Sequence, residues 1–124
     1  MIINIPVSIG ELFDKITILE IKLSQVKSED KLKNITMEHN HLKEISAPLN
    51  TKSIDYLIGN LKEVNTTLWN IENKIRAKEK LQEFDLEFIE IARSIYKNND
   101  LRADIKKKIN MLTDSLIREE KEHL

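Results

Sequence analysis

Two side chains suited to acid and base chemistry fall on predicted apolar helix faces. Glu20 lies inside the apolar sector of the first predicted helix, and His39 takes the corresponding position in the second. Glu20 lies about nine residues before the turn predicted near residues 28–30, and His39 lies about ten residues after it. An antiparallel hairpin therefore brings the two side chains to similar heights. We expect a Glu20–His39 contact, with Glu38 as a competing partner. The two side chains form either a buried pair that sets helix register or a general acid/base pair, or they are simply exposed to solvent.

A second polar set repeats at helical spacing along one flank of the third predicted helix. Its members, at intervals of seven, four, three and four, are Ile58, Asn65, Trp69, Glu72 and Arg76. Trp69, the single tryptophan, can stack on a sugar or a base, while the polar members supply directional hydrogen bonds. Alternatively, Trp69 closes the edge of the core, and Glu72–Arg76 is a surface pair worth about 0.2–0.5 kcal/mol.

A basic corner is predicted near the start of a fifth helix. Two of the four arginines, Arg93 and Arg102, lie there with Lys106. Together with the free N–H groups of a helix start, they can hold a phosphate or carboxylate. Asp100 and Asp104 neutralise part of this charge, so the alternative is a solvated charged face.

Other chemistries are poorly supported. The chain has no cysteine, which excludes disulfides, thiolate nucleophiles and thiolate zinc sites. Carboxylate pairs that could chelate Mg²⁺ occur at Glu11/Asp14 and Glu87/Glu90, but more than seventy residues separate them. No glycine-rich phosphate loop or nucleophile motif is present. We therefore predict no metal and no cofactor.

Composition indicates one folded helical domain over residues 1–124. Twenty basic and twenty-one acidic residues, with a pI near 6.3, exclude a basic nucleic-acid footprint. Two glycines and two prolines leave little turn chemistry for a sheet. We find neither a secretory signal nor an apolar run of about 18 residues. We therefore expect a cytoplasmic protein with no membrane or nucleic-acid partner.

Apolar periodicity predicts an all-α antiparallel bundle of about five helices. The first starts after the N-cap Ser8. The helices are predicted at 9–27, 31–45 (with Asp30 as cap), 54–81, from Asp85 as cap through Tyr96, and from Leu101 through Leu116. The break between the last two is assigned to Asn98–Asp100.

Two features predict a homodimer. Ile18 and Ile21 lie opposite the main seam of the first helix, beside Asp14, so this helix is either central or part of a subunit interface. The third helix, about 42 Å long, exceeds the width of a compact domain of this mass. We therefore expect dimerisation through the first or third helix. Gly59 is the weak point of the third helix, where a kink is expected.

Five segments of the chain combine polar and apolar residues in a characteristic order: Val7–Lys22, Asn65–Arg76, Phe88–Tyr96, Asn99–Arg102 and Lys107–Asn110. In this pattern the chain resembles an uncharacterised all-helical family of bacteria and phages. The resemblance implies no established activity or cofactor, and it implies a link to surface-glycan or nucleotide-sugar metabolism. The matching polar residues are Ser8, Glu11, Asp14, Lys15, Thr17, Glu20, Lys22, Asn65, Glu72, Arg76, Arg93, Asn99, Asp100 and Arg102. The tail Glu119–Leu124 departs from the family's aromatic ending.

Two functions are compatible with these residues. The first is a helical binding or assembly module whose polar ridge holds a small anionic ligand or a partner helix. The alternative is a small helical enzyme acting on a phosphorylated or sugar-nucleotide substrate, with Glu20 or Glu72 as acid/base. Its anion would be bound by Arg76, Arg93 and Arg102. Convergence of the acids and the ridge on one open pocket would favour a ligand site.

Overall fold

The computed structural model describes residues 1–123, and over that range it contains four α-helices and no β-strand. The predicted all-helical class is thereby confirmed. The helices are α1 (Ile9–Gln25), α2 (Glu29–Ser46), α3 (Asp55–Lys80) and α4 (Leu86–Leu112).

Helix α1 is the central element. It begins as predicted, because Ser8 Oγ accepts a hydrogen bond from the backbone N–H of Glu11 at 3.0 Å. It contacts α2, α3 and α4, and it buries residues on both of its apolar faces. The second apolar face predicted from Ile18 and Ile21 is therefore used within the subunit.

The main core lies where α1 meets α3 and α4. Leu12, Phe13 and Ile16 of α1 pack there with apolar side chains of both other helices. The remaining buried members are Ile54, Leu57, Leu61, Val64, Ile105 and Ile109. Burial of these side chains supplies the main favourable term for folding.

Helix α2 forms an outer layer. Its N-cap is Ser28, which accepts from the N–H of Lys31 at 3.4 Å, so the prediction of Asp30 as cap is wrong. Asp30 lies instead in the first turn, where an acidic side chain complements the helix dipole. Within the described residues α2 contacts α1 alone among the helices, and Ser46 is its one buried residue.

The prediction of five helices is wrong, because α4 runs unbroken through Asn98–Asp100. Asn and Asp cost only about 0.5–0.7 kcal/mol each against Ala in a helix, far less than Pro. Asn98 Nδ2 donates to the carbonyl of Ser94 at 2.8 Å, so its side chain is satisfied within the helix. The helix ends at Leu112, earlier than predicted, and Asp114 follows with a left-handed φ of 51°.

The outer halves of α3 and α4 form a projecting pair, the distal hairpin, which we define as residues 66–104. None of these residues is buried. Asp85 caps α4 as predicted, accepting from Phe88 N at 2.9 Å, and Lys78 Nζ lies 2.9 Å from Asp85 Oδ2. Large apolar side chains are nevertheless exposed on this hairpin: Leu81, Phe84, Leu86, Ile89, Tyr96 and Leu101.

The segment after α4 folds back onto α1. The hydroxyl of Ser115 accepts from Ile9 N at 3.2 Å, and Ser8 Oγ donates to Glu119 Oε1 at 2.7 Å. The N-terminal residues 1–7 are exposed and lack regular secondary structure. Within the described residues, we find no helix with the length and apolar character needed to span a bilayer.

The two glycines provide a matched test of this packing. A methyl group on Gly10 would lie 2.7 Å from Lys106 O, whereas one on Gly59 would meet nothing within 4 Å. Helix α3 also runs through Gly59 without a break. Gly10→Ala should therefore lower the free energy of unfolding by about 1–3 kcal/mol. Gly59→Ala should raise it by about 0.5–1 kcal/mol. Urea denaturation measures both, and similar effects at the two positions would contradict the close contact of α1 with α4.

Candidate functional site

An open groove of about 450 Å³ lies between α1, α3 and α4. Its apolar lining comes from all three helices and comprises Ile18, Ile21, Leu68 and Ile95. Its volume falls in the range of about 300–1,000 Å³ that small-molecule sites occupy.

The groove brings together five of the residues predicted from sequence. Asn65, Trp69, Glu72 and Arg76 line it from α3, where intervals of four, three and four keep them on one side of the helix. Arg102 lines it from α4. The polar ridge predicted on the third helix therefore borders a concave surface rather than a sealed core.

Asp14 joins three helices beneath this groove. Its side chain is 1% exposed. Its Oδ1 accepts from Asn65 Nδ2 and from Arg102 Nε, each at 2.9 Å. A terminal nitrogen of Arg102 donates to Oδ2, which makes the pair bidentate. Asn65 Nδ2 also lies 3.1 Å from Thr17 Oγ1. One α1 carboxylate thus fixes the positions of two groove-lining side chains.

Electrostatics keeps Asp14 ionised. Burial raises its pKa, but hydrogen bonds from Arg102 and Asn65 and the positive charges of Arg102 and Lys106 outweigh it, so the pKa of Asp14 falls below 3.8. In return, the hydrogen bond to Asp14 raises the pKa of Arg102. Arg102 is therefore a permanent cation whose charge is balanced by the Asp14 carboxylate.

The predicted basic corner is assembled only in part. Because α4 is continuous, the fifth-helix start and its free N–H groups do not exist. Arg93 is exposed and lies outside the groove lining. Lys106 pairs with Glu11 of α1, and Asp100 pairs with Lys121. Arg102 and Lys106 line a small cavity of about 260 Å³ together with Lys121, but each of these three cations is already paired with a carboxylate of the chain.

Glu20 and His39 meet on another side of α1. His39 Nε2 lies 3.5 Å from Glu20 Oε2, and Lys62 Nζ lies 3.5 Å from the other carboxylate oxygen. The expected contact of His39 with Glu20 is therefore present, but it is not a hydrogen bond. His39 Nε2 is buried and lacks a hydrogen-bond partner within residues 1–123. Glu20 lines a separate cavity of about 370 Å³ that shares no lining residue with the groove.

Members of both carboxylate pairs considered for Mg²⁺ are already paired with lysines. Glu11 pairs with Lys106 and Lys15, and Glu87 lies 3.5 Å from Lys78 Nζ. In the described part of the chain, no group of three or more His, Asp or Glu side chains is placed to hold a metal ion.

Three polar residues of this site, Asp14, Asn73 and Asn99, lie outside the polar sets predicted from the sequence. Asp14 was predicted beside Ile18 and Ile21 on an apolar face, and that position was the available signal of burial with a partner. Asn73 and Asn99 also line the groove. Asn73 lies beside the predicted ridge and has no local signal, whereas Asn99 matches the family pattern but falls in the predicted helix break.

The fold and the groove define a four-helix, all-α protein in which a partly polar groove lies above a buried ionic pair. The chain belongs to DUF6165, a family of unknown function that matches residues 3–123. Comparisons with curated proteins and with solved structures gave no match.

The two arginines of α4 provide a matched test of the buried pair. Arg102→Met leaves the Asp14 carboxylate without its main partner and should lower the free energy of unfolding by about 3 kcal/mol. Arg93→Met changes an exposed residue on the same helix and should stay within about 0.5 kcal/mol of the parent. Chemical denaturation measures both. An equally small loss at position 102 would contradict the role of the pair.

Proposed function

We propose that this protein is a binding module that holds a small ligand in the groove between α1, α3 and α4. The observation that carries the proposal is the convergence of Asn65, Trp69, Glu72, Arg76 and Arg102 on one open cavity. Small-molecule sites combine an apolar lining with a few placed polar groups in this way.

The groove combines fixed and adaptable polar groups. Asn65 is 5% exposed and held by Asp14 and Thr17. The Glu72 and Arg76 side chains are 49% and 80% exposed and pair with each other. A preformed inner wall lowers the entropy cost of binding, and an adaptable rim can close on the ligand.

The geometry favours binding over catalysis. Within the described residues, Glu72 is the one carboxylate that lines the groove. Glu20, the other acid/base candidate, belongs to a different cavity, and Arg93 does not line the groove. An acid/base mechanism needs titratable groups within hydrogen-bond reach of one substrate, so the enzyme alternative would depend on Glu72 alone.

A ligand panel tests the proposal. It comprises sugars, sugar phosphates and nucleotide sugars, because the resemblance implies a link to that metabolism, each with and without Mg²⁺. A ligand at one hundred times its Kd should stabilise the protein by about 2.7 kcal/mol. The resulting thermal shift should be lost in Trp69→Leu and kept in Tyr56→Leu, which alters an exposed aromatic residue outside the groove. The proposal fails if no compound shifts the melting temperature, or if both variants respond alike.

We also propose that two copies pair through the distal hairpin. Ile89 and Tyr96 lie seven residues apart on one face of α4, and both are exposed. An isolated helix pair has little core of its own, whereas two such pairs can form a four-helix bundle. The predicted interface on the first helix is less favoured, since α1 already contacts all three other helices.

Sedimentation equilibrium tests the pairing. The parent chain should have twice its mass of 14.5 kDa, and the double variant Ile89→Lys/Tyr96→Lys should be monomeric because it buries two charges in the interface. Met37→Lys, at an exposed position on α2, should stay dimeric. A monomeric parent at millimolar concentration contradicts the proposal.

A further inference from the structure

We infer that the groove takes an uncharged polyhydroxylated ring, a neutral sugar, rather than the small anion expected from the sequence. This inference rests on the proposed function and specifies the chemical class of its ligand. It follows from the charge balance of the lining, the hydrogen-bonding groups left free and the single aromatic surface.

Both arginines of the groove already hold a carboxylate. Arg102 is bidentate to Asp14, and Arg76 Nε lies 3.2 Å from Glu72 Oε2. No lysine belongs to the lining, and the nearby Lys106 is paired with Glu11. The lining therefore carries no excess positive charge, and a phosphate here would be repelled by the Glu72 and Asp14 carboxylates as well as attracted by the two arginines.

The uncharged polar side chains of the groove can form hydrogen bonds with sugar hydroxyls. Three asparagines line the groove: Asn65, Asn73 and Asn99. An amide offers both donors and an acceptor, and a sugar hydroxyl also donates and accepts. The Nδ2 of Asn65 is used by Asp14 and Thr17, while its Oδ1 has no partner within residues 1–123. Asn65 therefore presents an acceptor in a fixed orientation.

Trp69 supplies the surface for the ring. One face of a pyranose carries mainly C–H groups, which stack on an indole, while its hydroxyls project from the edge. The aliphatic side chains of Ile18, Leu68 and Ile95 extend this apolar surface. A nucleobase would also stack on Trp69, but the phosphates of a nucleotide would meet the balanced charges described above.

Matched sugar pairs test the ligand class on the full-length chain. Trp69 is the single tryptophan, so its fluorescence reports directly on the groove. The probes are methyl glucoside, methyl galactoside and N-acetylglucosamine, each beside the corresponding sugar 1-phosphate, with adenosine and uridine as uncharged nucleosides. We expect at least one neutral sugar to give a saturable change, with a Kd lower than that of its phosphate by about tenfold or more.

Two charge variants sharpen the comparison. Glu72→Gln keeps the size of the side chain but leaves Arg76 unbalanced, so the preference should move toward the sugar phosphate by about tenfold. Glu87→Gln removes an exposed charge outside the groove and should leave the preference unchanged.

The outcomes separate this inference from the proposed function. Tighter binding of the phosphates by the parent chain, or binding of nucleosides alone, overturns the neutral-sugar assignment and leaves a ligand site in the groove. An unchanged preference in Glu72→Gln also contradicts the charge argument. Absence of binding by every probe overturns the neutral-sugar assignment, and if the wider ligand panel is also negative the proposed function fails with it.

Discussion

The ionised carboxylate of Asp14 is the constraint on which the arrangement of helices depends. A charge buried in the interior must be paired and hydrogen-bonded. Asp14 meets this requirement only when α1 lies against α3 and α4 in the register that presents Asn65 and Arg102. The same two side chains line the groove. The interaction that positions α1 therefore also builds the inner wall of the candidate site.

A second contact holds α1 one turn earlier. Gly10 N donates to Asn110 Oδ1 at 2.7 Å, and the absence of a side chain lets the α4 backbone approach. Ser8 and Ser115 add bonds to the segment after α4. Helix α1 is thus fixed to α4 at two levels, whereas α2 and the distal hairpin are far less buried. The two groove side chains held by Asp14 are therefore fixed in position, whereas Glu72 and Arg76, farther out on the hairpin, are largely exposed.

Local patterns predicted part of this structure. The Ser8 cap, the course of α3 and the Glu20–His39 pairing follow from short-range signals and helical periodicity. The continuity of α4 does not follow from local signals, because the residues Asn98–Asp100 can cap a helix or lie within one at a similar free-energy cost. Packing decides between the two. The bond between Asp14 and Arg102 joins residues 88 apart, so no local pattern identifies the partner. The sequence shows only that Asp14 lies beside Ile18 and Ile21 on an apolar face.

The pH dependence of stability tests the role of Asp14 most directly. Since the pKa of Asp14 is lower in the folded state than its ordinary value of 3.8, its pairing stabilises the fold above that value. This contribution is lost as pH falls through the folded pKa. Asp85 and Asp100 also have lowered pKa values, so the informative quantity is the difference between the parent chain and Asp14→Asn. The free energy of unfolding, measured from neutral pH to about pH 2, should fall more steeply below about pH 4 in the parent than in the variant. Parallel curves would contradict a buried, ionised Asp14 that holds the three helices together.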